Sequence, residues 1–160
     1  MIIYPTQDQV RALFDYKDGG LYWKTPRNKI RVGDRAGHTN KRGYRKIKIN
    51  SNCYQEHHVI WLWHHGTWPK DQIDHINRIR DDNRIENLRE CSNAENHQNR
   101  KLSPKNTSGQ TGVYWSKVAN KWHSRITLNN KRIHLGFYDN LEDAAAAYLV
   151  AKKQHHTFSD

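Results

Sequence analysis

The sequence predicts an α+β protein built in two parts, on three observations. Helical and strand-like segments alternate through the first hundred residues. The stretch Lys101 to Gln110 (KLSPKNTSGQ) has turn-forming composition and almost no apolar side chains, which marks 102–110 as a linker. Three strand-like runs and one long helix follow it.

Thr6 to Tyr16 reads as a short helix, with Thr6 as N-cap and Val10, Leu13 and Phe14 at helical spacing. Gly19-Gly20 ends it, and Leu21-Tyr22-Trp23 opens a strand. Tyr44 to Asn50 alternates cationic and apolar residues, as a half-buried strand does. A turn near Asn50-Ser51-Asn52 then leads into Cys53-Tyr54-Gln55. His57 to His65 is helical, with Val59, Ile60, Leu62 and Trp63 apolar, and Gly66 stops it. Beyond the linker, strands fall near 112–116, 122–128 and 131–137, with Asn129-Asn130 as the tight turn between the last two. Leu141 to Lys153 reads as a helix that Asn140 caps, with Asp143 at the third position.

The 160 residues suit one medium domain or two small ones. Only 35% are hydrophobic and the mean hydropathy is −1.08, but six Trp and eight Tyr supply large buriable surfaces. Small cores rich in aromatic residues are expected. The net charge of +11 is unevenly spread. Gly19 to Gln55 carries ten Lys or Arg and one acid, Asp34, whereas His97 to Tyr138 carries eight and no acid. Residues 71–95 hold seven of the sixteen acids. An acidic patch between basic flanks suits a phosphate-gripping protein with a central cation site. Cys53 and Cys91 form no CxxC pair, which excludes a four-cysteine zinc site and makes both candidates for burial as small hydrophobes. No apolar run approaches the ~18 residues of a membrane span, so a soluble, intracellular protein is expected.

On residue chemistry alone, Asp74-His75 offers a base that titrates near neutrality beside a hard oxygen ligand suited to Mg²⁺ or Mn²⁺. A surface or capping pair is the ordinary alternative. Adjacent strand residues face opposite ways, so serving one site would need a twist or bulge.

Asp74-His75, followed by Asp82-Asn83-Arg84-Ile85-Glu86-Asn87-Leu88-Arg89, resembles the HNH nuclease family, in particular small homing-type endonucleases of phages and mobile introns. The likeness extends upstream through His57-His58 and Gly66-Thr67-Trp68-Pro69, and downstream to Asn93–Asn96. It implies an N-terminal HNH domain over 1–101 whose core, about 72–101, is two strands and a helix gripping one metal ion. The strands would hold Ile73-Asp74-His75 and Leu88–Cys91, and the helix would run from about Ser92 to Lys101. It implies further that His75 is the general base, that Asn87 orients its imidazole, and that Asp74 and Asn96 hold a divalent metal. Mg²⁺ is the first expectation and Mn²⁺ the second, with no structural zinc. Asn93 and Asn99 crowd the same helix as Asn96, and any of them could face solvent. A second metal between His57 and His64 or His58 and His65 is conceivable; a packing role for His57 beside the site is the simpler expectation.

Residues 109–156 resemble the Apetala-type DNA-binding domain of plant ethylene-response factors, which phage endonucleases also carry, and this implies a second domain over 111–160. The likeness rests on Gly112-Val113-Tyr114, Lys121–Ile126, Arg132–Tyr138 and Glu142–Tyr148. It implies a three-stranded antiparallel sheet packed on the last helix. Strand alternation puts Val113, Trp115, Trp122, Ser124, Ile126, Leu128, Ile133 and Leu135 on the helix side. Tyr114, Ser116, His123, Arg125, Thr127, Arg132 and His134 fall on a cationic, aromatic face suited to DNA. The whole reads as a site-directed, metal-dependent DNA endonuclease acting on double-stranded DNA as a monomer or homodimer, in the cytoplasm of a bacterial host if phage-encoded. The rivals are a DNA-binding regulator with an inactive nuclease centre and an RNA-binding module.

Overall fold

The computed structural model describes residues 4–99, 102–128 and 131–156. The chain mixes helices with four small antiparallel sheets among the described residues. It divides into two compact units, Met1–Ser92 and Asn93–Asp160, so the division precedes the 102–110 stretch.

In the first unit Thr6 caps α1 (Gln7–Leu13) through a capping box. Its Oγ1 accepts from the Gln9 N–H at 3.3 Å while the Gln9 side chain accepts from the Thr6 N–H at 3.0 Å. The helix ends at Leu13, short of the expected Tyr16. Phe14–Lys17 forms β1 instead and pairs with β2 (Gly20–Trp23), Phe14 opposite Trp23. Their rings meet at 4.6 Å and Phe14 is buried, so tertiary pairing outcompetes the local helical spacing.

A three-stranded sheet follows in the order β3 (His38–Thr39), β4 (Arg45–Ile49), β5 (Asn52–Gln55). In β4 the buried Ile47 and Ile49 alternate with Lys46 and Lys48. Asn50 and Ser51 both take positive φ, 46° and 69°, as the tightest hairpin turns require. Helix α2 (Glu56–His65) buries Val59, Ile60 and Leu62 and ends on Gly66 in the left-handed conformation. Strands β6 (Gln72–His75) and β7 (Leu88–Cys91) pair antiparallel, with a short 3-10 turn at Ile85–Asn87 leading into β7. Val10, Phe14, Leu21, Ile47, Ile49, Ile60 and Leu62 lie in one core. Each such side chain contributes about 1.5–3 kcal/mol on burial, so a few of them offset the low overall hydropathy. Cys91 is buried, but Cys53 is exposed on β5, contrary to the expectation that both would be buried.

The second unit holds α3 (Asn93–Gln98), β8 (Val113–Ser116), β9 (Lys121–Leu128), β10 (Lys131–Tyr138) and α4 (Leu141–His155). Helix α3 stops at Gln98, before the expected Lys101; residues 100 and 101, like the expected turn at 129–130, lie outside the described set. The sheet runs β10-β9-β8. Val113 and Ile126 pack with Ala144, Tyr148 and Ala151 of α4, and the Asn140 side chain accepts from the Asp143 N–H at 2.8 Å. Gly112, at φ 73°, permits this packing: a Cβ there would lie 2.3 Å from the Tyr148 ring.

Strict alternation fails in β10. The register shifts between His134 and Gly136, so Phe137 pairs with His123 and Tyr138 with Trp122. This bulge sends Phe137 outward and tucks Tyr138 against the core. Trp115 and Ile133, expected beneath the helix, remain 41% and 43% exposed and lie outside the core that packs on α4.

Candidate active site

Asp74 and His75 close strand β6, and both are buried, at 8% and 4% exposure. The β6–β7 ladder is regular, pairing Asp74 with Arg89 and His75 with Leu88. No bulge separates the two residues, so by strand alternation their side chains leave on opposite sides. Asp74 turns toward Arg89, whose Nε and Nη2 donate to its Oδ2 at 3.1 and 2.9 Å.

On the other side, His75 Nε2 lies 2.8 Å from Asn83 Oδ1, and Asn83 Nδ2 donates to Glu56 Oε2 at 2.7 Å. Glu56 is wholly buried and Asn83 is 1% exposed. Two guanidinium groups neutralise the carboxylate: Arg35 Nη2 donates to both of its oxygens at 3.0 Å, and Arg45 Nε lies 3.3 Å from Oε2. Arg35 passes close over Gly20 on its way to Glu56; a Cβ there would sit 1.9 Å from its Nη1.

Neither Glu56 nor Asn83 was among the residues expected at the site. The sequence does carry a signal for the first: Glu56 is the sole acid between Asp34 and Asp71, and it opens a helix with no other acid and no Lys or Arg. A carboxylate with that setting is buried only if cations and donors come to it.

Asn87, expected to orient His75, is buried and holds the 76–87 loop. Its Nδ2 donates to Asn77 Oδ1 at 3.0 Å and to the Asp82 carbonyl at 2.7 Å, and its Oδ1 accepts from the Asn77 N–H at 3.0 Å. Asn83 belongs to the loop that Asn87 closes. Asn96 lies half-buried on α3, in the other unit.

His57 packs beside the site, its ring edge-on to that of His75 at 5.0 Å and tilted against Tyr44 at 5.7 Å. Burial, with the neighbouring His58 and His75, pushes its pKa from 6.5 down to about 2, so the ring is neutral. Burial also lowers His58. His64 and His65 are taken up by Tyr16 and Trp61 respectively, at 4.5 and 4.0 Å between rings. Tyr44 also faces His75 at 6.0 Å and lines a shallow cleft with Lys41, Arg42 and Lys46.

Among the described residues, no three His, Cys, Asp or Glu side chains are grouped to hold a metal ion. A hard cation such as Mg²⁺ needs only one or two carboxylates if waters and phosphate oxygens complete its shell, and a buried Asp74 fits that donor chemistry.

In the second unit, the expected DNA face bears Tyr114 and Arg125, the guanidinium lying 4.6 Å over the ring. His123 Nε2 and His134 Nδ1 approach to 2.5 Å, and Phe137 stacks on His123 at 4.7 Å. Thr127 and Arg132 are exposed and Ser116 half-exposed. Alternation alone missed Phe137, because the bulge was not visible in it.

A family model described as HNH endonuclease matches residues 54–98, in the middle of the chain rather than at its N-terminus. Protein 3.8 of Escherichia phage T7 is 32% identical over 106 residues, which span 66% of this chain and 88% of that protein. No solved structure matches.

Proposed function

The chain belongs to the family of phage T7 Protein 3.8 and carries an HNH endonuclease domain, and from that premise we propose that it is a site-directed, metal-dependent DNA endonuclease of the homing type. The observation that carries this reading is the buried His75 imidazole, tied through Nε2 to Asn83 and next in the chain to the buried Asp74 carboxylate. Asn83 Nδ2 faces a carboxylate, which only accepts; Asn83 Oδ1 therefore faces His75, and Nε2 is the donor. The lone pair then lies on Nδ1, the nitrogen that takes the proton of an attacking water. Neutral His57 adds no positive charge that would hinder that transfer.

Asp74 would hold the divalent cation, Mg²⁺ or Mn²⁺, which would supply neutralisation of charge developing on the phosphate. Asn87 serves by fixing the loop that presents Asn83. Lys41, Arg42 and Lys46 line the cleft beside Tyr44 and suit a DNA backbone. A nuclease part over 1–101, joined by 102–110 to an Apetala-type part, would be delivered to its target by Tyr114, Ser116, His123, Arg125, Thr127, Arg132 and His134. The ion pair of Asp74 with Arg89 favours one rival, a DNA-binding regulator with a silent centre, because the cation must compete with a guanidinium.

Plasmid cleavage decides between them. Purified protein is incubated with supercoiled DNA in Mg²⁺, Mn²⁺ or EDTA, beside His75→Ala. Cutting is expected only with metal and only with His75 present; cleavage that persists in EDTA or in the variant would refute the mechanism.

A further inference from the structure

His75 is not held by its own strand alone. Its Nε2 reaches Asn83 from the following loop, and Asn83 reaches Glu56 at the first turn of α2. The order of donors along this chain is dictated from its buried end. A carboxylate clasped by Arg35 and Arg45 is anionic and can only accept. The Asn83 amide must therefore turn its NH₂ to Glu56 and its oxygen to His75, and an imidazole that carries a single proton must carry it on Nε2.

We propose that Glu56, acting through Asn83, is a positioning residue that sets the tautomer of His75 and leaves the lone pair on Nδ1. The proposal rests on the reading of His75 as the general base. Both links are nearly or wholly buried, so water does not stand in for either. Glu56 also joins Arg35 and Arg45 to the imidazole, so residues far from β6 act on the base without touching substrate.

The donor order makes a specific forecast. Glu56 Oε2 accepts from Asn83, Arg35 and Arg45 together, so in Glu56→Gln the amide oxygen takes that place, Asn83 keeps its orientation and the imidazole proton stays on Nε2. Glu56→Met keeps the length of the side chain but removes the acceptor. The Asn83 amide then loses the contact that orients it, and a neutral His75 carries its proton on either nitrogen.

The experiment is nitrogen-15 NMR of histidine-labelled full-length protein, without metal, at a pH where the imidazole is neutral, with His75 assigned by its loss in His75→Ala. The wild type and Glu56→Gln are expected to carry the proton on Nε2, and Glu56→Met to show both tautomers. In parallel, kcat for DNA cleavage is expected to fall about 10–100-fold in Glu56→Met with KM unchanged, and to be retained in Glu56→Gln. A role in stability alone would lower the folded fraction without mixing the tautomers. A wild-type imidazole protonated on Nδ1, or a Glu56→Met protein with an unmoved tautomer, overturns the proposal. Should Glu56→Met fail to fold, the wild-type and Glu56→Gln spectra still decide. Undiminished cleavage by His75→Ala would reject the base reading separately, since the nitrogen spectrum reports on Glu56 and Asn83 whether or not DNA is cut.

Discussion

Replacing His57 by Phe should flatten the dependence of stability on pH. In the folded protein the ring is neutral, its pKa held near 2 by burial and by His58 and His75, while in the unfolded chain it titrates near 6.5. Between those values the unfolded state holds a proton that the folded state lacks, so stability rises with pH through this window and is lost as pH falls below about 6.5. Each pH unit in the window is worth about 1.4 kcal/mol, which amounts to about 2.7 kcal/mol between pH 8 and pH 4.5. Phe keeps the ring volume beside Tyr44 and His75 and removes the buried Nδ1, which has no hydrogen-bond partner. Urea denaturation of both proteins at the two pH values measures the effect. His58 and the other titrating groups are common to both, so the difference between the two pH-dependent losses isolates His57. Equal losses would mean that the ring is protonated in the folded state, and the account of a neutral, desolvated His57 would fail.

Gly112→Ala should cost at least about 2 kcal/mol in the second unit, since it combines a positive φ with a Cβ 2.3 Å from the Tyr148 ring; a melting temperature unchanged from wild type would contradict the packing described. Arg125→Ala and Arg132→Ala should each weaken DNA binding and lower the slope of log affinity against log salt by about one, as measured by titration at several ionic strengths. Retention of the full slope would remove those residues from the phosphate-contacting face.

Much of the element order was legible because it depends on local rules. Thr6, Gly66 and Asn140 each cap or end a helix where their chemistry requires it, and β4 follows its alternation of lysine and isoleucine. The end of α1 was not legible, because Phe14 sits at helical spacing and only its partner Trp23, in another strand, decides otherwise. The bulge in β10 escaped for a related reason: Gly136 permits it, but nothing in a run of alternating residues requires it. At the site, Asp74 and His75 stood out as a motif. Asn83 sits in that same motif, yet its tie to Glu56 crosses 27 residues and is set by the fold. Asn87 was recognised, though it holds the loop, and Asn83 holds the ring.

The meeting of Arg35, Arg45, Asn83 and the imidazole at Glu56 also bears on how the chain is made. These groups come from widely separated segments, so their assembly requires closing long loops and cannot proceed piecemeal. An anion in an apolar surround is costly until its partners arrive, which penalises half-built states and favours a single cooperative step. During synthesis from the N-terminus, the strand carrying His75 emerges before Asn83 does. The histidine thus acquires its fixed orientation only when the loop behind it has been translated and folded back, and a nascent or truncated chain lacks it.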